Sequence, residues 1–195
     1  MKSPLLIGIK KSLLFVLALQ LLSVAAMAQV KYHAKDNLSM VVTGTSTLHD
    51  WSMKTSKGDC NATFTVNANG QPTGLTHLSF AIPADALKSD HSGMDKNAYK
   101  ALRTDKTGTI VYNMSSATVS GDGVIKCQGK LTIAGGTFET DLVADAKVNA
   151  DKSISVKGSK KIGMKDYKID PPTFMMGTIK TGNEIILKFD LTLRK

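Results

Sequence analysis

Phe138-Glu139-Thr140-Asp141-Leu142-Val143-Ala144-Asp145-Ala146-Lys147-Val148 is the stretch that decides the fold class. Phe138, Leu142, Ala144, Ala146 and Val148 share one parity, and Glu139, Asp141, Asp145 and Lys147 take the other. A period of two marks a strand with one dry face and one wet face. The pattern recurs on either side. Ile185, Leu187, Phe189, Leu191 and Leu193 face one way, against Glu184, Lys188, Asp190 and Thr192. Leu78, Phe80 and Ile82 alternate in the same manner, as do Ile110, Tyr112 and Met114. So do Cys60, Ala62, Phe64 and Val66, and Ile125, Cys127, Leu131 and Ile133. Turn signals separate the runs at Asn69-Gly70, Gly121-Asp122-Gly123, Ala134-Gly135-Gly136, Ala150-Asp151-Lys152 and Thr181-Gly182-Asn183. The reading yields about eight or nine strands.

Strands with a single apolar face must close into a barrel or pack as a sandwich. Glu139, Asp141, Lys157 and Lys188 put the polar face toward water. An outer-membrane barrel inverts that order, so the apolar set is the interior of a soluble barrel. About eight antiparallel strands leave space for side chains or for one small ligand, as in lipocalins. Two segments break the alternation. Pro83-Ala84-Asp85-Ala86-Leu87 ends a strand, and Met94, Ala98, Ala101 and Leu102 then fall at helical spacing. Asp95 near its start and Arg103 near its end suit the helix dipole, which predicts a short helix at about 94–103. An irregular stretch from Gly163 to Gly182, with Pro171-Pro172 inside it, is too long for a hairpin turn.

The chain has 195 residues, of which 42% are apolar and 6% aromatic. That length suits one domain, and the composition excludes disorder, collagen-like repeats and coiled coil. Lys2, Lys10 and Lys11 precede an apolar run from Leu13 to Ala26, which ends in Ala26-Met27-Ala28 before Gln29. This is the pattern of a secretory leader cleaved after Ala28, and the run is shorter than the ~20 residues of a membrane span. No later stretch is apolar enough to span. Removing the three leader lysines takes the formal charge from +9 to +6 over 167 residues. The remaining lysines are scattered, so nucleic acid is not an expected partner. Cys60 and Cys127 both fall on apolar parity. An oxidising compartment permits a disulfide between them; the alternative is two separate small buried residues.

Enzyme signals are weak. His33, His49, His77 and His91 form no metal-binding motif, and no nucleophile elbow or phosphate-cradling loop is present. His49-Asp50 has the composition of an acid–base pair, although such a pair at a turn is more often structural. Trp51, the single tryptophan, reads as a barrel-end plug or as an amphipathic ring at a ligand mouth.

Four segments stand out in order: Gly44-Thr45-Ser46-Thr47-Leu48-His49-Asp50-Trp51, Ile82-Pro83-Ala84 through Ala101-Leu102, Gly129-Lys130-Leu131-Thr132-Ile133-Ala134-Gly135-Gly136-Thr137, and Lys165-Asp166-Tyr167-Lys168-Ile169-Asp170-Pro171-Pro172 with Gly177-Thr178-Ile179-Lys180. Together they resemble the YceI-like family. The resemblance spans nearly all of 30–195. It implies a lipocalin-like antiparallel barrel, exported to the periplasm or secreted, that holds a polyisoprenoid or similar amphiphile without catalysis, cofactor or metal. Two positions depart from the family pattern, Met94 before Asp95 and Gly108 before the strand that follows the helix. The expected organisation is a leader at 1–28 and one barrel domain at 29–195.

The candidate lumen lining is the inward set Phe64, Phe80, Ile82, Ile110, Tyr112, Met114, Leu131, Phe138, Leu142, Val156, Leu187 and Phe189. Phe174 and Met176 join it from the long loop, as a mouth or lid. Lys96, Lys100 and Arg103 are candidates to meet a charged headgroup. The competing expectation is a structural or stress-related exported β protein with a filled core. Barrel edges and the helix offer surfaces for a homodimer.

Overall fold

The computed structural model describes residues 28–195. The expected leader lies outside the described residues except for Ala28, which opens the first strand opposite Val66.

The strands are β1 (Ala28–Lys35), β2 (Ser39–Ser46), β3 (Trp51–Thr55), β4 (Asp59–Val66), β5 (Pro72–Pro83), β6 (Thr109–Val119), β7 (Val124–Ile133), β8 (Gly136–Val148), β9 (Ile154–Gly163), β10 (Thr173–Phe174) and β11 (Ile179–Leu193). One helix, α1 (Ser92–Leu102), lies between β5 and β6. Every pairing is antiparallel, in the order β1-β4-β5-β6-β7-β8-β9-β11-β2-β3, with β10 added beside β11.

The ends of that order are one bent ribbon. Ala28 to Lys35 run opposite Val66 to Asp59, and Met40 to Gly44 run opposite Thr55 to Trp51. β1 and β2 are thus two halves of a strand kinked at Asp36 and Asn37, with φ of 53° and 50°. Aspartate and asparagine are the non-glycine residues that best tolerate this left-handed geometry. The Asp36 carboxylate accepts the Gly58 N–H at 3.2 Å and lies 3.3 Å from Lys57 Nζ, which lashes the kink to the facing bend. Past the kink, His33 bridges Arg194 beyond β11. Counting each bent strand once, the ten strands of the path make eight staves of a closed barrel.

β1 alternates Val30, Tyr32 and Ala34 with Lys31, His33 and Lys35, and β3 alternates Trp51 and Met53 with Ser52 and Lys54, whereas β2 does not alternate cleanly. β2 carries Val41 and Val42 side by side and then Gly44 among hydroxyl residues, which blurs a period of two. The helix starts two residues earlier than its apolar spacing indicates. Asp95 is buried and accepts both the N–H and the hydroxyl of Ser89, each at 2.7 Å, tying the incoming chain to the first turn. The irregular stretch is shorter than expected, because β9 reaches Gly163 and β11 begins at Ile179. Between them lie a 3-10 turn at Met164–Tyr167 and the two residues of β10.

Connections differ between the two ends. Tight turns at Asn67–Gln71, Ser120–Val124 and Asn149–Ser153 close one end. At that end Arg194 reaches Asp151 at 2.8 Å. The other end collects the Ser46–His49 turn, the tight two-residue β7–β8 turn at Ala134-Gly135, the excursion through α1, and the 164–178 segment. This second end is the mouth. Among the described residues, no helix is long and apolar enough to cross a membrane.

Candidate functional site: an apolar lumen

The inward faces of the staves enclose a cavity of about 490 Å³. That lies within the roughly 300–1,000 Å³ of small-molecule sites. Its depth follows from the lining, which reaches from Leu48 and Met175 at the mouth to Leu193 near the far end of β11. The interior is therefore not filled.

Eleven of the sequence-predicted residues line it: Phe64, Phe80, Ile82, Ile110, Tyr112, Leu131, Leu142, Val156, Phe174, Leu187 and Phe189. Three do not. Phe138 keeps inward parity but sits at the mouth end of β8, is 37% exposed, and meets Tyr167 edge-on at 5.4 Å. Met114 lies at a bulge in β6, where the register against β7 shifts, and packs half-buried against the core. Met176 is fully exposed, turned out by a loop in which Met175 and Met176 both have positive φ. Its neighbour Met175 lines the mouth instead.

Lys96, Lys100 and Arg103 are exposed and none of them lines the lumen. The helix turns Met94, Ala98, Ala101 and Leu102 inward, so its basic residues are left on the opposite face. The side chain that parity alone would have found is Lys160. It shares the inward register of β9 with Val156 and Ile162, opposite the lining residue Leu187. Its Nζ meets the exposed Asp141 carboxylate at 2.6 Å. That ammonium, by hydrogen bond first and charge second, holds the Asp141 carboxyl below its usual range.

Cys60 and Cys127 are free and buried, and both face the lumen, so the structure takes the alternative to a disulfide. Burial pushes the Cys60 thiol up to about 12, helped by the neighbouring Asp59, and the Cys127 thiol up to about 11. Two buried hydroxyls are satisfied within the wall. Tyr112 donates to the Thr140 carbonyl at 3.2 Å, and Tyr167 shares a 2.6 Å hydrogen bond with the Thr140 hydroxyl. Burial raises the phenol of Tyr112 and that of Tyr167, the latter against the opposing effect of its Thr140 hydrogen bond.

Trp51 combines both of its sequence readings. It pairs with Gly44 across β2 and β3, lines the lumen, and donates its indole N–H to the Thr45 carbonyl at 3.0 Å. A Cβ at residue 44 would lie 2.4 Å from the indole, so the ring's seat requires glycine there. His49 sits at the rim, and its Nδ1 lies 2.7 Å from the Asp50 carbonyl oxygen. The ring thus engages the main chain of Asp50, not its carboxylate.

Solved structures share this architecture. BcnA of Burkholderia cenocepacia aligns with a TM-score of 0.67 at 10% identity, over 81% of this chain and 96% of its own. A polyisoprenoid binding domain from Saccharophagus degradans, implicated in plant cell wall breakdown, aligns at 0.63 and 10% identity, over 86% and 99%. The Campylobacter jejuni YCEI protein aligns at 0.55 and 18% identity, over 70% and 82%. No curated protein matches the sequence. The family model of the YceI-like domain matches residues 22–193, and with the barrel, its mouth helix and its lumen in place, the chain belongs to the YceI-like family.

Proposed function

We propose that the protein is an exported, non-catalytic carrier of a polyisoprenoid or other long-chain amphiphile, held in the barrel lumen of a single domain at 29–195 behind a cleaved leader. The observation that carries this reading is the open apolar cavity of about 490 Å³ with its mouth beneath α1. Transfer of a chain from water into such a lumen yields about 0.8 kcal/mol per methylene, and needs no reactive group. The polyisoprenoid-binding domain from Saccharophagus degradans supports it as a protein of the same fold. The periplasm, or full secretion, is the compartment that the leader pattern favours.

Organic extraction of the purified protein followed by mass spectrometry tests this. A long-chain lipid recovered in near-stoichiometric amount is the expected result. A lipid-free barrel that also fails to take up a neutral fluorescent hydrocarbon probe overturns it.

A further inference from the structure

The ladder between β8 and β9 ends early. It pairs Val148 to Ala144 with Ile154 to Gly158 and goes no further toward the mouth. Beyond that point β8 stays paired with β7 and β9 stays paired with β11, so the two strands separate and leave a seam in the wall. Gly158 stands where they part: a Cβ there would lie 2.4 Å from the Phe189 ring and 2.6 Å from the Val143 carbonyl oxygen. Lys160 is the next inward position on β9.

Lys160 is also the one lysine, arginine, aspartate or glutamate among the described residues that line the lumen. An ammonium on an apolar wall is costly unless it has partners. Its side chain is 23% exposed, and its one ion-pair partner, Asp141, is 70% exposed and reaches it from the solvent side. A lysine has three donors, and one carboxylate oxygen occupies one of them. Among the described residues, the other donors have no protein partner.

We infer that the bound amphiphile carries an anionic head, carboxylate or phosphate, and that Lys160 receives this head at the β8–β9 seam while the chain fills the lumen. This rests on the carrier reading. It places the charged end in the wall, away from Lys96, Lys100 and Arg103 on the helix exterior. A charge-assisted hydrogen bond to a fixed ammonium distinguishes an acid from an alcohol of equal chain length by about 10-fold or more.

The test is displacement of a neutral fluorescent probe from the leaderless protein at pH 8 by hexadecanol, palmitate and hexadecyl phosphate. Expected for wild type is displacement by one or both anions at concentrations about 10-fold or more below hexadecanol. Comparison of the two anions identifies the head. Lys160→Met abolishes that preference and leaves hexadecanol unchanged, whereas Lys160→Arg keeps it. Asp141→Asn strengthens anion binding by removing a competitor, whereas a lysine that only straps the seam predicts no change in preference. Equal displacement by all three ligands in wild type overturns the headgroup assignment and leaves the carrier reading standing. So does a preference that survives in Lys160→Met or disappears in a Lys96, Lys100 and Arg103 triple variant. Displacement by none of them, with no probe uptake, overturns both.

Discussion

Cys60 and Cys127 carry inward positions of β4 and β7, and their burial suppresses the thiolate that any electrophile needs. With Cys60 moved from 9.0 to about 12, its thiolate population at pH 8 falls by about three orders of magnitude on folding. Reaction with a polar disulfide reagent is therefore expected to be about 10³-fold slower at Cys60, and about 10²-fold slower at Cys127, in native protein than in urea; comparable rates would place the thiols in contact with water. Asp151 shows the opposite displacement. The Ser153 hydroxyl, the Ser153 N–H and then Arg194 hold its carboxyl at about 2, below the ordinary 3.8. A depressed folded value stabilises fully above the unfolded value, and that stabilisation disappears as pH falls from about 4 toward 2. Asp151→Asn is expected to melt below wild type at pH 6, with the two melting temperatures converging by about pH 2. At this scale alternation in sequence located the inward residues well. It failed for Phe138, at the mouth end of β8 beyond its ladder with β9, and for Met114, beside a bulge within β6, because strand separation and a bulge, not parity, decide what those residues touch.

Among the elements, β9 carries two unlike jobs. Its first half closes the wall against β8, and its second half borders the seam. Gly158 separates them, with no space for a Cβ between the Phe189 ring and the Val143 carbonyl. Because a backbone oxygen cannot yield as a side-chain tip does, Gly158→Ala is expected to lower stability by about 1–3 kcal/mol in urea denaturation. A neutral result would show that β8 retreats freely and that the seam is wider than its static geometry. The helix is the second informative element. Its apolar spacing was legible, but its role was not. Asp95 holds its start through Ser89, and the Tyr99 hydroxyl lies 2.8 Å from both the Asp85 and Leu87 carbonyl oxygens, sharing its one hydrogen between them. These bonds fix α1 with Met94 and Ala98 over the lumen and leave Lys96 and Lys100 in solvent.

For the whole molecule, the barrel gathers its irregular segments at the mouth, together with the tight turns at Ser46–His49 and Ala134-Gly135, and closes the other end with tight turns. The seam adds a second discontinuity in an otherwise hydrogen-bonded wall. Amides of residues 136–143 and 159–163 that point across it have no ladder partner there. Hydrogen exchange is expected to be faster at those amides than in the β6–β7 ladder, and to slow when the lumen is occupied. Uniform protection across β8 and β9 in the empty protein would mean that the wall is sealed.

The alternation of residues 138–148 and of its counterparts was sufficient for an all-β antiparallel fold with an apolar interior, because side-chain parity along a strand is a local property. The quoted motifs were sufficient for the family, whose model matches residues 22–193. What sequence left undetermined depends on distance between remote residues. That the two thiols stay apart, that β1 with β2 and β3 with β4 act as single bent staves, and that the lumen stays open were settled only by closure of the barrel. The position of Lys160 is of both kinds. Its inward parity was readable from Val156 and Ile162, but the seam that gives an inward charge access to water exists only because β8 and β9 part after Gly158.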